Sequence, residues 1–270
     1  MATNEHNGTK TWQRRTPKTR LLTWLGWLFF LALLLLSFRE ISAATLWIFV
    51  ADAHRQAGDL IERMIPPKTS YMTSIWRPLW DTLNIATLGT FFAIVIALPL
   101  AFLSANNTTP HKLIRQIALL VVVSSRSINT LIWAILFVIL FGPGVVAGIM
   151  AITLRSVGFI AKLLYESIEE ISNEPVEAIR ATGSTPLQVL TYGIVPQVFP
   201  AFVGISVFRW DINIRESTIV GLVGAGGIGL QLDASVNALR WSQVSMILVI
   251  IFLMVVFSEW LSARIRKAVS

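Results

Sequence analysis

Six charged side chains stand well away from the ends of long apolar stretches of this chain, and their types and spacing are the first thing that needs a chemical reason. Arg126 lies in the apolar run 114–141, Arg155 in 145–164, and Arg209, Asp211, Arg215 and Glu216 in 198–220. A charge at the centre of a bilayer costs roughly 2.5–3.5 kcal/mol on insertion scales, so each must line a water-filled path or meet an opposite charge. Asp211 and Arg215, four residues apart on a helix, can neutralise one another. Arg209 and Glu216 are seven apart and share nearly the same face. Arg126 has no acid in its own run and is surrounded by Ser124, Ser125, Ser127, Asn129 and Thr130. Fixed positive charge beside hydroxyl and amide donors suits a small oxyanion in transit. Arg126, Ser127, Asn129, Arg209 and Arg215 are therefore the candidate translocation-pathway residues; a structural role inside a helix bundle suits Arg209 and Arg215 equally well.

Other chemistries find little support. The chain has no cysteine, which excludes disulfides, thiol catalysis and cysteine–metal sites. His6, His54 and His111 cluster with nothing, so no metal site is expected. Residues 224–229 read Gly-Ala-Gly-Gly-Ile-Gly and satisfy G-x-G-x-x-G. A dinucleotide site also needs a βαβ unit and an acid about twenty positions on, and this one leads toward an apolar run instead. A close-packed glycine turn is the better reading. No G-x-x-x-x-G-K-[ST] is present, so no catalytic site and no ATP hydrolysis are expected of this chain. The formal net charge of +7 raises nucleic acid as a partner, but the basic residues crowd the ends of apolar runs, as in a membrane protein.

A second constellation is polar. Glu174-Pro175-Val176-Glu177 is a helix entry, with a proline early and acids at the positive end of the dipole. Ala178 and Ala181 keep that surface thin. Gly183 can take a positive φ and turn the chain, Ser184 or Thr185 can cap a second helix, and Pro186 suits its first turn. Leu187, Leu190 and Tyr192 then offer apolar anchors. Two short helices about one glycine elbow make a shape that docks into a partner's groove, with Glu177 placed to meet a basic residue there. The plainer alternative is an amphipathic surface helix with a solvated glutamate.

These features need elements to hold them. Of 270 residues 54% are hydrophobic and 14% charged, far below the roughly 25% charged residues of ordinary soluble domains. Six runs approach the 18–20 residues that cross a hydrocarbon core: 21–38, 79–104, 114–141, 145–164, 198–220 and 243–263. The first follows a polar basic tail, 1–20, and has no small-residue cleavage site, so it reads as a retained anchor. Residues 39–78 form a charge-balanced segment with an amphipathic helix that Pro66-Pro67 should end. Residues 79–263 make the core, the polar loop occupies 165–197, and 264–270 is a basic tail. Lys10, Arg14, Arg15, Lys18 and Arg20, then Lys112 and Arg115, then Arg264, Arg266 and Lys267 fall on one side if six spans are counted. By the positive-inside rule that side is cytoplasmic, which puts both termini and the polar loop in the cytoplasm and 39–78 outside.

The sequence Glu177-Ala178-Ile179-Arg180-Ala181-Thr182-Gly183, followed by Ile194-Val195-Pro196, resembles the EAA loop of ABC importer permeases. Arg126-Ser127-Ile128, Gly142-Pro143-Gly144, Val195-Pro196-Gln197-Val198, Phe208-Arg209-Trp210 and 223–229 are similar to the phosphonate-type members. The resemblance runs from about Trp80 to the C-terminus. It implies an all-α bundle of the type I importer permease kind, in the bacterial inner membrane. It implies ATPase-coupling roles for Glu177, Ala178, Arg180, Gly183 and Pro196. The partners implied are a second copy of the chain, an ABC ATPase dimer that uses ATP and Mg, a periplasmic or lipoprotein substrate-binding protein, and lipid. The implied solute is a phosphonate, phosphite or hypophosphite; an ABC permease for phosphate or an amino acid, or a secondary transporter, are the alternatives. Two departures stand near the supposed pathway. Family members often carry Pro where this chain has Asn129, which predicts a less kinked third span, and His where it has Arg155, which adds a fixed positive charge.

Overall fold

The computed structural model describes residues 2–6, 9–13 and 17–269. The chain divides into two compact units, Met1–Glu62 and Arg63–Ser270. The first begins with an antiparallel hairpin inside the basic tail, β1 (Ala2–His6) against β2 (Thr9–Gln13), with Ala2 opposite Gln13. Arg14 and Arg15 of that tail lie outside the described residues. α1 (Pro17–Ala44) is apolar on every side from Leu21 to Phe38, the pattern of a helix solvated by lipid. α2 (Trp47–Met64) is amphipathic, with Asp52, Arg55, Asp59 and Glu62 among its apolar residues, and stops before Pro66-Pro67 as expected.

The second unit is helical throughout. It contains α3 (Met72–Ser104), α4 (Lys112–Ser127), α5 (Thr130–Phe141), α6 (Val145–Glu169), α7 (Asn173–Ala181) and the single turn α8 (Pro186–Gln188). A π-helical stretch, Val189–Ile194, then leads into α9 (Val195–Val220), α10 (Ile228–Asn237) and α11 (Trp241–Val269). Five helical segments are individually long and apolar enough to cross a membrane: Lys18–Ala44, Thr69–Ser104, Val145–Glu169, Pro186–Val223 and Trp241–Ala268.

The third of the six expected spans, residues 114–141, is not a single helix: α4 and α5 meet at an 89° bend. Arg126 is therefore next to the last residue of α4, not mid-span. The expectation that Asn129 leaves the span less kinked than a proline is also overturned. Ile128 and Asn129 have extended backbone, and the Asn129 side chain accepts a hydrogen bond from Leu131 N, so Asn129 acts as an N-cap and starts a new helix. Such broken backbone is stable at membrane depth only where it is buried in protein or lines water.

Small residues let the helices close on one another. Ala86, Gly89, Ala93, Ala97 and Ala101 form one buried stripe of α3. α6 lies against it, so near that a Cβ on Gly89 would meet Ile152 Cγ2 at 2.7 Å. α4 approaches the other side of α6 at Gly158, where a Cβ would stand 2.5 Å from the Val122 carbonyl. Lipid tails are as apolar as leucine, so close backbone packing of this kind replaces the hydrophobic drive between helices. The glycine turn 224–229 is close-packed as expected, but it opens the ten-residue α10 rather than leading directly into the last span. Within it, Ile228 N donates to Thr82 Oγ1 at 2.7 Å.

Candidate functional site

The intramembrane charges of α9 sort into two partnered groups. Arg209 is 3% exposed at its side chain. Its Nε donates to Ser156 Oγ on α6 at 2.9 Å, an Nη faces Glu216 Oε2 at 3.2 Å, and its guanidinium lies 5.0 Å above the Phe159 ring. Glu216 Oε2 also accepts from Thr130 Oγ1 at 2.7 Å. Ser156 and Asn213 are hydrogen-bonded, and Asn213 Nδ2 donates to Thr90 Oγ1 on α3 at 2.7 Å. One polar chain thus ties α3, α5, α6 and α9 together. The second group is Asp211, which pairs with Arg215 and accepts from Ser258 Oγ of α11 at 2.7 Å. Partial neutralisation offsets the burial cost of each charge, which is the condition for keeping it at this depth.

The sequence-predicted pathway residues separate accordingly. Arg126, Ser127 and Asn129 are all exposed and lie together at the α4–α5 break. Arg215 is exposed but held by Asp211, and Arg209 is enclosed in the network. Arg155, set aside as a family departure, is at the break as well: its guanidinium donates to the Arg126 backbone carbonyl at the C-terminal end of α4. Thr90, Ser156, Asn213 and Ser258 were not singled out. Asn213 carried a usable signal, since it lies four residues after Arg209 and so on the same helical face. Ser156 and Ser258 had none, because their partners are distant in sequence.

The polar loop folds as two helical pieces about Gly183, whose φ is +75°. Thr185 caps the second piece: its Oγ1 accepts from Gln188 N at 3.4 Å, and Gln188 Oε1 accepts from Thr185 N at 2.8 Å, a closed capping box. Val176 and Val189 are buried, which contributes roughly 1.5–3 kcal/mol for each apolar side chain fully removed from water. Beside Pro196, Gln197 spans the gap between the two ends of the loop. Its Oε1 accepts from Ser172 N at 3.1 Å and its Nε2 donates to the Gly193 carbonyl at 2.7 Å. Glu177, Ala178, Arg180 and Gly183 stay exposed, as do Leu187 at 71% and Tyr192 at 69%. Leu190 instead packs against the core. The loop is cross-linked by its own hydrogen bonds and presents an acid, a base and two large apolar side chains. Among the described residues no cluster of His, Asp and Glu is arranged to hold a metal ion.

Comparison with known proteins gives concordant results. Residues 97–270 match the family described as binding-protein-dependent transport system inner membrane component. The chain is 42% identical over 203 residues to the phosphite transport system permease protein PtxC of Stutzerimonas stutzeri, covering 75% of this chain and 74% of that one. It is 38% identical over 208 residues to the phosphate-import permease protein PhnE of Mycolicibacterium smegmatis, covering 77% of this chain and 39% of that longer protein. Among solved structures it is similar to an inward-facing conformation of the MetNI methionine ABC transporter, with a TM-score of 0.66, 25% identity, and coverage of 75% of this chain and 99% of the other.

Proposed function

The chain belongs to the family of binding-protein-dependent transport system inner membrane components, as a multi-pass permease subunit of an ABC importer, and we propose that the solute it moves is a phosphonate-like oxyanion: phosphite, a phosphonate or hypophosphite. The observation that carries the solute class is the 42% identity over 203 residues to a phosphite permease. The positive charge at the α4–α5 break supports it. Phosphate is the second reading, favoured by the likeness to a phosphate-import permease.

In this reading the chain supplies the path and a partner ATPase dimer supplies the energy from ATP and Mg. Gly183 sets the angle between the two pieces of the loop. Glu177, Ala178 and Arg180, with Leu187 and Tyr192, form the surface that enters the ATPase groove. Pro196 and Gln197 hand its displacement to α9, whose far end carries Glu216 and hence Thr130 at the break. The loop and both termini are cytoplasmic. The segment 39–78 is external, beneath a substrate-binding protein. A second copy of the chain completes the path, and lipid surrounds both.

The test is ATP hydrolysis by the assembled permease, ATPase and binding protein in liposomes, with the binding protein loaded in turn with phosphite, hypophosphite, a phosphonate, phosphate or methionine. The proposal expects stimulation by one of the first three. Stimulation by phosphate alone replaces it with the second reading, and stimulation by methionine alone ends the oxyanion assignment.

A further inference from the structure

Inside the apolar runs that supply α4, α6 and α9 the chain carries four cations, Arg126, Arg155, Arg209 and Arg215, and two acids, Asp211 and Glu216. Geometry assigns the acids without ambiguity: Glu216 to Arg209 and Asp211 to Arg215. Two positive charges are left over, and both are at the α4–α5 break. Arg155 is the eleventh of the 25 residues of α6, so the site lies near the middle of a span. Among the described residues neither Arg126 nor Arg155 has a carboxylate partner.

Around these charges the free groups are donors. Arg155 spends one N–H on the Arg126 carbonyl, which fixes its guanidinium at the break and leaves its remaining N–H groups without a protein acceptor among the described residues. The Arg126 side chain is exposed and makes no hydrogen bond among the described residues. Asn129, itself exposed, spends its Oδ1 on Leu131 N, which leaves its amide N–H groups without an acceptor among the described residues. A lipid-facing guanidinium would be expensive, so this face turns to the path that a second copy of the chain completes, where it meets water or a permeant. We infer that Arg126 and Arg155, with the Asn129 amide beside them, form a transit subsite for a tetrahedral phosphorus oxyanion, with Arg155 its charge-bearing specificity residue. The inference rests on the oxyanion reading above and assigns it to particular side chains.

Arg155 also has a plainer possible role, as a donor that satisfies an orphan carbonyl at the end of α4. The two roles come apart by substitution. Arg155→Gln keeps an N–H donor for that carbonyl and removes the charge; Arg155→Lys keeps a charge. The experiment uses the full complex with its ATPase and binding protein in liposomes and reads phosphite moved per ATP hydrolysed, with phosphate and methylphosphonate as comparison solutes. Arg155→Gln and Arg126→Gln should each lower that ratio about tenfold or more, the loss expected when a hydrogen bond to a charged group is removed. Arg155→Lys should recover much of it. A ratio equal to wild type in Arg155→Gln, whether or not total activity falls with stability, overturns the subsite. A wild-type complex that moves none of the three oxyanions overturns the parent reading, and the subsite with it.

Discussion

Glu216 on α9 accepts a 2.7 Å hydrogen bond from the Thr130 hydroxyl of α5 and, through the same Oε2 atom, faces the Arg209 guanidinium at 3.2 Å. One carboxylate oxygen thereby joins the first turn of a broken span to the helix that continues from the polar loop. Glu216→Ala leaves a buried guanidinium without its counter-charge. Breaking a buried pair costs about 3–5 kcal/mol, and the lower end applies because Glu216 is 24% exposed. The thermal midpoint of the detergent-solubilised protein should fall clearly. The double variant Arg209→Met/Glu216→Leu should regain most of the loss, and a double variant as unstable as Glu216→Ala would count against the pair.

Asn129 has φ −68° and ψ 147°, and Ile128 before it is extended, so proline fits this position without strain. Asn129→Pro loses a cap of about 1 kcal/mol and regains roughly 0.4–1 kcal/mol from a stiffer unfolded chain. It should therefore leave the midpoint nearly unchanged. Asn129→Leu loses the cap with nothing in return and should lower the midpoint by roughly 2–4 °C. Equal losses in the two variants would mean that the break does not depend on the backbone conformation of this residue.

A Cβ on Gly229 would stand 2.0 Å from the Thr218 carbonyl oxygen, a backbone atom that cannot swing away. Gly229→Ala should destabilise the protein by about 1–3 kcal/mol, the usual cost of overpacking, or more. Gly204, in α9, has nothing within 4 Å of its would-be Cβ. Gly204→Ala should be neutral or mildly stabilising in the same thermal assay. If both variants behave alike, the glycine turn is not the close contact described.

The absence of native cysteine makes orientation directly measurable. In the chain expressed without its ATPase, a single cysteine at Leu187, which is 71% exposed, should react with a membrane-impermeant maleimide in inverted vesicles and not in intact cells. Asp59→Cys should show the opposite pattern. Reversed labelling would place the polar loop away from ATP.

Much of this fold was legible because hydropathy is a one-dimensional signal. The runs 79–104, 145–164, 198–220 and 243–263 each lie within a helix, with the ends extended into polar flanks that still favour helix. The break at Ile128–Asn129 was not legible for the same reason. Apolar residues continue past it, and the polar cluster Ser124–Thr130 reads equally well as lining or as a cap. The elbow at Gly183 and the Thr185–Pro186 start were readable, since capping depends on neighbours in sequence. The π-helical entry of α9 and the Ser156–Arg209 contact depend on packing between distant segments, which no local pattern encodes. The spacing of Arg209 and Glu216 did hint at their pairing, but nothing in it pointed to Thr130.

In the proposed function the loop around Gly183 couples ATP hydrolysis by a partner to movement of an oxyanion through this chain. Accumulation of labelled phosphite in liposomes holding the full complex, wild type beside Gly183→Pro and Glu177→Lys, reads this coupling out. Proline cannot adopt the φ of +75° that residue 183 holds, and lysine reverses the exposed charge at 177. Wild type should accumulate phosphite in an ATP-dependent way, and both variants, each still inserted in the membrane, should not. Accumulation by either variant at the wild-type rate would contradict it.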